Sequence, residues 1–312
     1  MGLEHELVKF LDGMIAACEG LKSNFADVSS RINAQAVELK ATELKSQPNL
    51  NLSDFESLKQ ALYSDKWPEA VNKNLICDPN SDKDKIERGR GIIELMIDED
   101  LKNLKFLDYG CGEGHCAYLS SEYGSATSIG YDVVEYPQWK NFEPNKSTIT
   151  TDWGFVKSNG PYNVIILFDV IDHLKTETPV EVLSKLKQVL APDGKIYMRC
   201  HPITSRHATH LYHDLNKAYL HLVFTDEELR QLIPESKFRE KNMGSFFPIA
   251  TYEQQIKEAG LKNVNRREIR ENAEDFFRIP AIADRIIKNT GHATFPEFQL
   301  SLSFVDVCLQ NS

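Results

Sequence analysis

One segment constrains this chain more than any other. A short apolar strand runs straight into three alternate glycines, Phe106-Leu107-Asp108-Tyr109-Gly110-Cys111-Gly112-Glu113-Gly114-His115. Glycines at that spacing let the backbone turn tightly and let a ligand lie against it without meeting a Cβ, and a helix opening behind them aims its free N–H groups at that ligand. The pattern is GxGxG, not the GxGxxG of dinucleotide binders, and an acid, Asp108, stands two residues before the first glycine. A carboxylate there repels a pyrophosphate but holds a cationic or amino-bearing ligand. Strand, tight turn and helix in that order predict an α/β fold.

The rest of the chain extends this prediction. Lys105–Tyr109, Thr127–Asp132, Ser147–Thr151, Asn163–Phe168 and Lys195–Cys200 read as strands, with helices over His115–Tyr123 and Pro179–Leu190 between them. That alternation is the pattern of a doubly wound parallel sheet. A sixth strand is expected over Val264–Ile269, after a helix Thr251–Ala259 capped by Gly260. A long final strand is expected over Glu297–Gln310, whose alternation shifts phase at Val305 as at a bulge. Ahead of the sheet, a helix is expected from about Lys83 to Ile97, and a short one through Tyr63 with Ser53 and Glu56 as a capping box. Residues 1–60 form a separate helical segment. Leu7, Leu11, Met14, Cys18, Leu21, Phe25, Val28, Ile32 and Leu39 keep the a/d rhythm of a heptad seam, which fits either a coiled-coil homodimer or a helix folded back on its own domain. The remaining residues, 61–312, form the α/β domain, with a His-rich insert at about 201–250.

The glycine segment resembles the first motif of class I S-adenosylmethionine-dependent methyltransferases, Asp/Glu-x-Gly-x-Gly-x-Gly. Four further motifs follow in order: Gly130-Tyr131-Asp132, Thr151-Asp152-Trp153, Phe168-Asp169-Val170-Ile171-Asp172-His173-Leu174, and Leu186-Lys187-Gln188-Val189-Leu190-Ala191-Pro192-Asp193-Gly194. The last two are similar to the "VLEHL" and "rvLkPGGxl" signatures of the small-molecule subgroup, with Asp193 in place of the first glycine of the pair. The resemblance implies a Rossmann-like sheet of seven strands with an antiparallel last strand, and S-adenosylmethionine as cofactor. It places Asp108, Gly110, Cys111, Gly112 and Gly114 at the methionine end, Asp132 and Val133 at the ribose, Asp152 and Trp153 at the adenine, and Phe168 and Asp169 along the pocket. Arg88 and Arg90 could reach the cofactor's carboxylate or simply lie on a helix surface.

In this topology an acceptor sits above the carboxyl ends of strands four and five. His173 and His201 lie just past those ends and are the candidate general bases, against the alternative of packed structural histidines. Five of the nine histidines (His201, His207, His210, His213 and His221) fall within 21 residues. On one helix their spacing fans the rings apart, and no HExxH pair accompanies them, so an acceptor lid is the favoured reading over a metal centre, with a purely structural insert as the alternative. Arg206, His207 and His210 would offer hydrogen bonds to the acceptor. The apolar loop Asn242–Pro248 either covers that pocket or packs on the sheet.

Composition narrows the partners. With 36 Lys+Arg against 46 Asp+Glu the net charge is −10, which disfavours a phosphate-backbone binder, and the Asn/Asp-Pro-Pro-Tyr motif of base methylation is absent after strand four. The six cysteines form no CxxC pair, no apolar run is long enough to span a membrane, and the start lacks a secretory pattern, so a reduced cytoplasm is expected. The expected activity is methyl transfer to an oxygen or nitrogen of a small polar acceptor. A macromolecular acceptor and a non-catalytic scaffold are the alternatives.

Overall fold

The computed structural model describes residues 55–64, 67–72, 78, 81–142, 146–174, 176–233, 246–271, 280–291 and 297–312. The chain divides into two units, Met1–Asn51 and Leu52–Ser312. The heptad segment, and with it the homodimer expectation, lies outside the described residues.

Seven strands form one sheet: β1 (Lys105–Tyr109), β2 (Thr127–Tyr131), β3 (Thr148–Thr150), β4 (Tyr162–Leu167), β5 (Leu190–Cys200), β6 (Leu261–Arg270) and β7 (Leu302–Asn311), in the order β3-β2-β1-β4-β5-β7-β6. The first five are parallel, and β7 runs antiparallel between β5 and β6. A parallel sheet is covered on both faces, which is why β4 reads Tyr-Asn-Val-Ile-Ile-Leu with little alternation. On one face Leu107, Ile129, Ile165 and Met198 pack with Val182, Leu186 and Ile256 from the covering helices. On the other, Phe106, Val164, Ile166 and Tyr197 pack with Ile92, Ile93 and Leu119.

Among the described residues the α-helices, in chain order, are α1 (Phe55–Leu62), α2 (Asp82–Met96), α3 (His115–Glu122), α4 (Trp153–Asn159), α5 (Pro179–Lys187), α6 (Leu220–Val223), α7 (Asp226–Leu232), α8 (Ile249–Glu258), α9 (Pro280–Thr290) and α10 (Glu297–Leu300). Capping explains several starts. The Ser81 hydroxyl accepts from Asp84 N at α2, and Thr178 with Glu181 makes a full capping box at α5. A second core lies beside the sheet. Leu58 and Leu62 of α1, Trp67, Tyr219, Phe224 and Leu229 of the insert, and Ile282 and Ile286 of α9 are all buried together. The insert is therefore a packed helical layer, and α1 belongs to it.

Three expectations are corrected. The final strand begins at Leu302, because Glu297–Leu300 forms a helical turn first. Its alternation breaks because β7 is an interior strand buried on both faces; the register slips past Ser303, not at Val305. Strand β5 starts at Leu190, five residues early, since Ala191–Gly194 is absorbed where the β4–β5 register shifts. The inserted β7 is held in register by a buried pair: Arg199 donates to both carboxylate oxygens of its cross-strand partner Asp306, at 2.6 and 2.9 Å.

Candidate active site

The strand order reverses between β1 and β4, and ligands of such sheets bind in the crevice beyond the carboxyl ends at that point. The glycine turn lies there. Gly110 (φ +75°) and Gly112 (φ +52°) adopt left-handed backbone. A Cβ on Gly110 would stand 2.5 Å from a Val170 methyl, so the turn is pressed against the loop leaving β4; a Cβ on Gly112 would meet nothing within 4 Å. Gly112 therefore borders open space in which a ligand can rest on the backbone. Replacing Gly110 by alanine is expected to cost about 2–4 kcal/mol, combining left-handed strain with overpacking, read as a lower midpoint in denaturant unfolding. An unchanged midpoint would mean the turn relaxes freely.

The turn is tied to β2. Gly110 N and Cys111 N both donate to the Tyr131 carbonyl. Asp132, at the strand's end, accepts from Gly112 N (2.9 Å) and Val134 N (3.0 Å), one bond to each carboxylate oxygen. Val133 beside it is 72% exposed, an apolar surface open at the crevice. Asp108 is buried beneath the turn; burial first, and then the Asp132 charge, push its carboxyl up to about 7 against a backbone hydrogen bond at Ala117. Burial likewise pushes the Cys111 thiol up, so it stays protonated.

Not every expected residue joins this group. Asp152 caps α4 by accepting from Gly154 N at 2.7 Å. The Trp153 ring lies against Tyr109 (5.9 Å) and Tyr131 (5.3 Å), with the Lys185 ammonium 4.5 Å above it. Tyr109 follows Asp108 on an alternating strand, so this aromatic stack sits on the sheet face opposite the Asp108 carboxyl. Lys185 is held by Glu177 and lies 3.4 Å from the Tyr109 hydroxyl, a cluster that sequence reasoning did not find.

Beyond β4 and β5 the structure gathers a histidine cluster. His201 Nδ1 lies 2.7 Å from Asp172 Oδ2, and both side chains are buried. His201 Nε2 stands 3.9 Å from Asp169 Oδ1. The rings of His207 and His210 are 5.4 and 6.2 Å from that of His201, and His173 lies 4.7 Å from His210. The insert was expected to spread its histidines around one helix. Instead Thr209 (φ +67°) and His210 (φ +56°) take left-handed backbone, the helix breaks, and His207 and His210 both turn to His201.

Electrostatics sort these rings. Burial disfavours a charged His201, but the Asp172 hydrogen bond and the charges of Asp169 and Asp172 outweigh it, so its pKa is raised. Burial and the neighbouring imidazoles push His207 and His210 down to about 3, leaving both neutral. Arg206 is placed elsewhere: it donates to the Glu69 carbonyl at 2.7 Å and lies 3.7 Å from Glu271. Phe246, at the described end of the apolar loop, sits 5.7 Å from His210, and Phe247 packs on the sheet core. Helix α2 closes the other side. Arg88 bonds Asp169 at 3.1 Å, Lys85 bonds Glu113 at 2.7 Å, and Arg90 stands 4.0 Å from Glu122. A cleft of about 340 Å³ opens there between Arg88, Phe168 and Arg199. Asp172 received no role from the sequence, although its place one residue before His173 was the available signal.

Residues 82–266, more than half the chain, match a family model described as a methyltransferase domain. The chain belongs to this family, the class I S-adenosylmethionine-dependent methyltransferases. No curated protein matches its sequence. Among solved structures, the methyltransferase is similar to an S-adenosylmethionine-dependent methyltransferase from Mesorhizobium loti (13% identity, 70% of this chain and 95% of that one, TM-score 0.46). It is also similar to magnesium protoporphyrin IX methyltransferase from Synechocystis PCC 6803 (13%, 81% and 93%, 0.45) and to 1,6-didemethyltoxoflavin-N1-methyltransferase from Burkholderia thailandensis (11%, 74% and 80%, 0.41). In this methyltransferase the donor set suits the cofactor: an uncrowded glycine backbone at Gly112, a buried carboxyl at Asp108 for an amino group, and a carboxylate at Asp132 for hydroxyls. Among the described residues no helix is long and apolar enough to cross a membrane.

Proposed function

We propose that this methyltransferase methylates an oxygen or nitrogen of a small polar acceptor held above β4 and β5, with His201 as the general base. The observation that carries this is the buried Asp172–His201 pair at the carboxyl ends of those two strands. His201 Nδ1–H donates to Asp172, which fixes the tautomer and leaves Nε2 free to take a proton. Asp172 also raises the imidazole's affinity for that proton, which strengthens the base. When bound, S-adenosylmethionine supplies a methyl group on a sulfonium, so the leaving group needs no further activation. The chain's task is then positioning and proton removal. His201 Nε2 accepts the proton that the acceptor heteroatom gives up as the new carbon–heteroatom bond forms. The neutral rings of His207 and His210 offer hydrogen bonds to the acceptor without adding charge.

Asp108, Gly110, Cys111, Gly112 and Gly114 would hold the methionine end, Asp132 and Val133 the ribose. Asp152 would reach the adenine, with Trp153 bracing the strand ends through Tyr109 and Tyr131. Phe168 and Asp169 would line the pocket beside Arg88. The four described cysteines, Cys111, Cys116, Cys200 and Cys308, are free thiols, as a reducing cytoplasm would keep them.

Calorimetric titration with S-adenosylmethionine and S-adenosylhomocysteine, followed by a screen of small hydroxylated and amino acceptors for methyl incorporation, tests this function. Asp132→Ala is expected to weaken cofactor binding by about a hundredfold, since charge-assisted ribose bonds and the brace on Gly112 are lost together. Unchanged affinity in that variant would remove Asp132 from the cofactor site.

A further inference from the structure

We propose that Asp172, His173 and His210 form a binding site for a first-row divalent transition cation, with zinc the reference ion. One ligand atom from each of the three lies within 4.8 Å of the other two. At metal–ligand bonds of about 2.0–2.2 Å neighbouring ligands stand about 3.4 Å apart, so side-chain rotations of roughly 1 Å draw the set together.

The atoms left over in this cluster point to the same place. Asp172 is completely buried, yet only its Oδ2 is used, by His201; Oδ1 has no hydrogen-bond partner. A buried carboxylate oxygen without a partner is costly, and a cation is the partner that relieves it most. His210 shows the same asymmetry. Its Nδ1 lies 3.2 Å from the Tyr212 hydroxyl, while its buried Nε2 has no partner. Two of the three ligands therefore have their far side held by a second polar group, His201 for the Asp172 carboxylate and Tyr212 for the His210 imidazole. Metal sites use such outer partners to aim their ligands. The left-handed backbone at Thr209 and His210 is what carries His210 to Asp172 and His173, 38 and 37 positions back along the chain.

Two imidazoles with one carboxylate suit zinc, iron, nickel or copper better than magnesium or calcium, which prefer all-oxygen sets. Three protein ligands leave at least one coordination position open, the pattern of sites that engage a substrate atom and not of closed structural sites. Asp172 can serve the ion through Oδ1 while Oδ2 stays on His201, so the site coexists with the base; on His210 the ion takes the place of the hydrogen bond that the ring's Nε2 offers an acceptor in the metal-free protein, leaving His207 for that contact. It stands on side-chain geometry alone and does not depend on the methyl-transfer assignment.

Cobalt(II) titration of the full-length, chelator-treated protein tests it, followed by visible absorption and by competition with zinc. The expected result is one cobalt per chain, with intense d–d bands of four- or five-coordinate cobalt that zinc abolishes. His210→Ala and Asp172→Asn should each weaken binding by about a hundredfold, while His115→Ala, outside the cluster, should bind as the unmodified chain does. Circular dichroism establishes that each variant is folded; if Asp172→Asn is not, His210→Ala and His173→Ala carry the test. Absence of saturable binding to the unmodified protein overturns the proposal, as does binding that survives in folded His210→Ala and His173→Ala.

Discussion

His201→Ala is expected to lower turnover by about 10²–10⁴-fold while cofactor affinity stays within about twofold, the separation that marks a base acting on the acceptor alone. Two histidines stand just past β4 and β5, and their surroundings differ. His201 is buried, fixed by Asp172 at 2.7 Å, and has a second carboxylate, Asp169, 3.9 Å from the nitrogen that would take the proton. His173 instead packs its ring against His210 and Phe246. A base needs an orienting partner on one nitrogen and a free lone pair on the other, and His201 has both. Removing it also strands a buried carboxylate, so the variant should lose thermal stability. His201→Gln keeps a hydrogen-bond donor near Asp172 without a titrating ring; it should recover stability but not turnover. Initial rates with a labelled methyl donor, beside calorimetric cofactor affinity, separate these effects. Full activity in both variants would mean that the acceptor reaches the site already deprotonated.

The fold was legible wherever hydrophobic runs decided it. Strands β1 to β4 fall within a residue or two of their expected bounds, because each is a short stretch centred on β-branched or aromatic residues and bounded by turn residues. Legibility failed where tertiary placement overrode local pattern. Ala191-Pro192-Asp193-Gly194 looks like a turn, yet the register shift opposite Tyr162 takes it into β5. The residues proposed to hold the cofactor could be named one by one, since the glycines, Asp108 and Asp132 stand in motifs. The histidine cluster was not. Thr209 is β-branched, and nothing local announces that it will adopt φ +67° and break the helix. Asp172 was hidden for a related reason: its neighbour in sequence is His173, but the ring it holds belongs to His201, 29 positions on. Such pairings come from the order of strands β4 and β5 in the sheet, which a one-dimensional pattern does not contain.

Cofactor binding is expected to strengthen as pH rises from about 5 to 7, by up to tenfold per unit, and to level off above that. The cause is Asp108. Burial, with the Asp132 charge behind it, raises its carboxyl to about 7, so below neutrality the free protein carries it as the neutral acid. Pairing with a cationic amino group requires the carboxylate, so binding must expel that proton, and each unit of acidity below about 7 costs affinity. For folding the sign is the opposite of the usual carboxylate. A raised folded pKa means the native state binds the proton more tightly than the unfolded chain. The stabilisation is complete below the unfolded value near 3.9 and is lost as pH climbs through about 7, amounting to roughly 4 kcal/mol at most. The cofactor-free protein should therefore lose stability from this group over the same interval in which it gains affinity, which makes cofactor stabilisation greatest at and above neutral pH. Calorimetry in buffers of different ionisation enthalpy reads the released proton directly, approaching one per cofactor near pH 6. Asp108→Asn should bind more weakly at pH 8, release no proton, and show a flat profile. A wild-type affinity that does not change between pH 5 and 7 would place the cofactor's amino group away from Asp108 and leave that carboxyl a buried strut beneath the glycine turn.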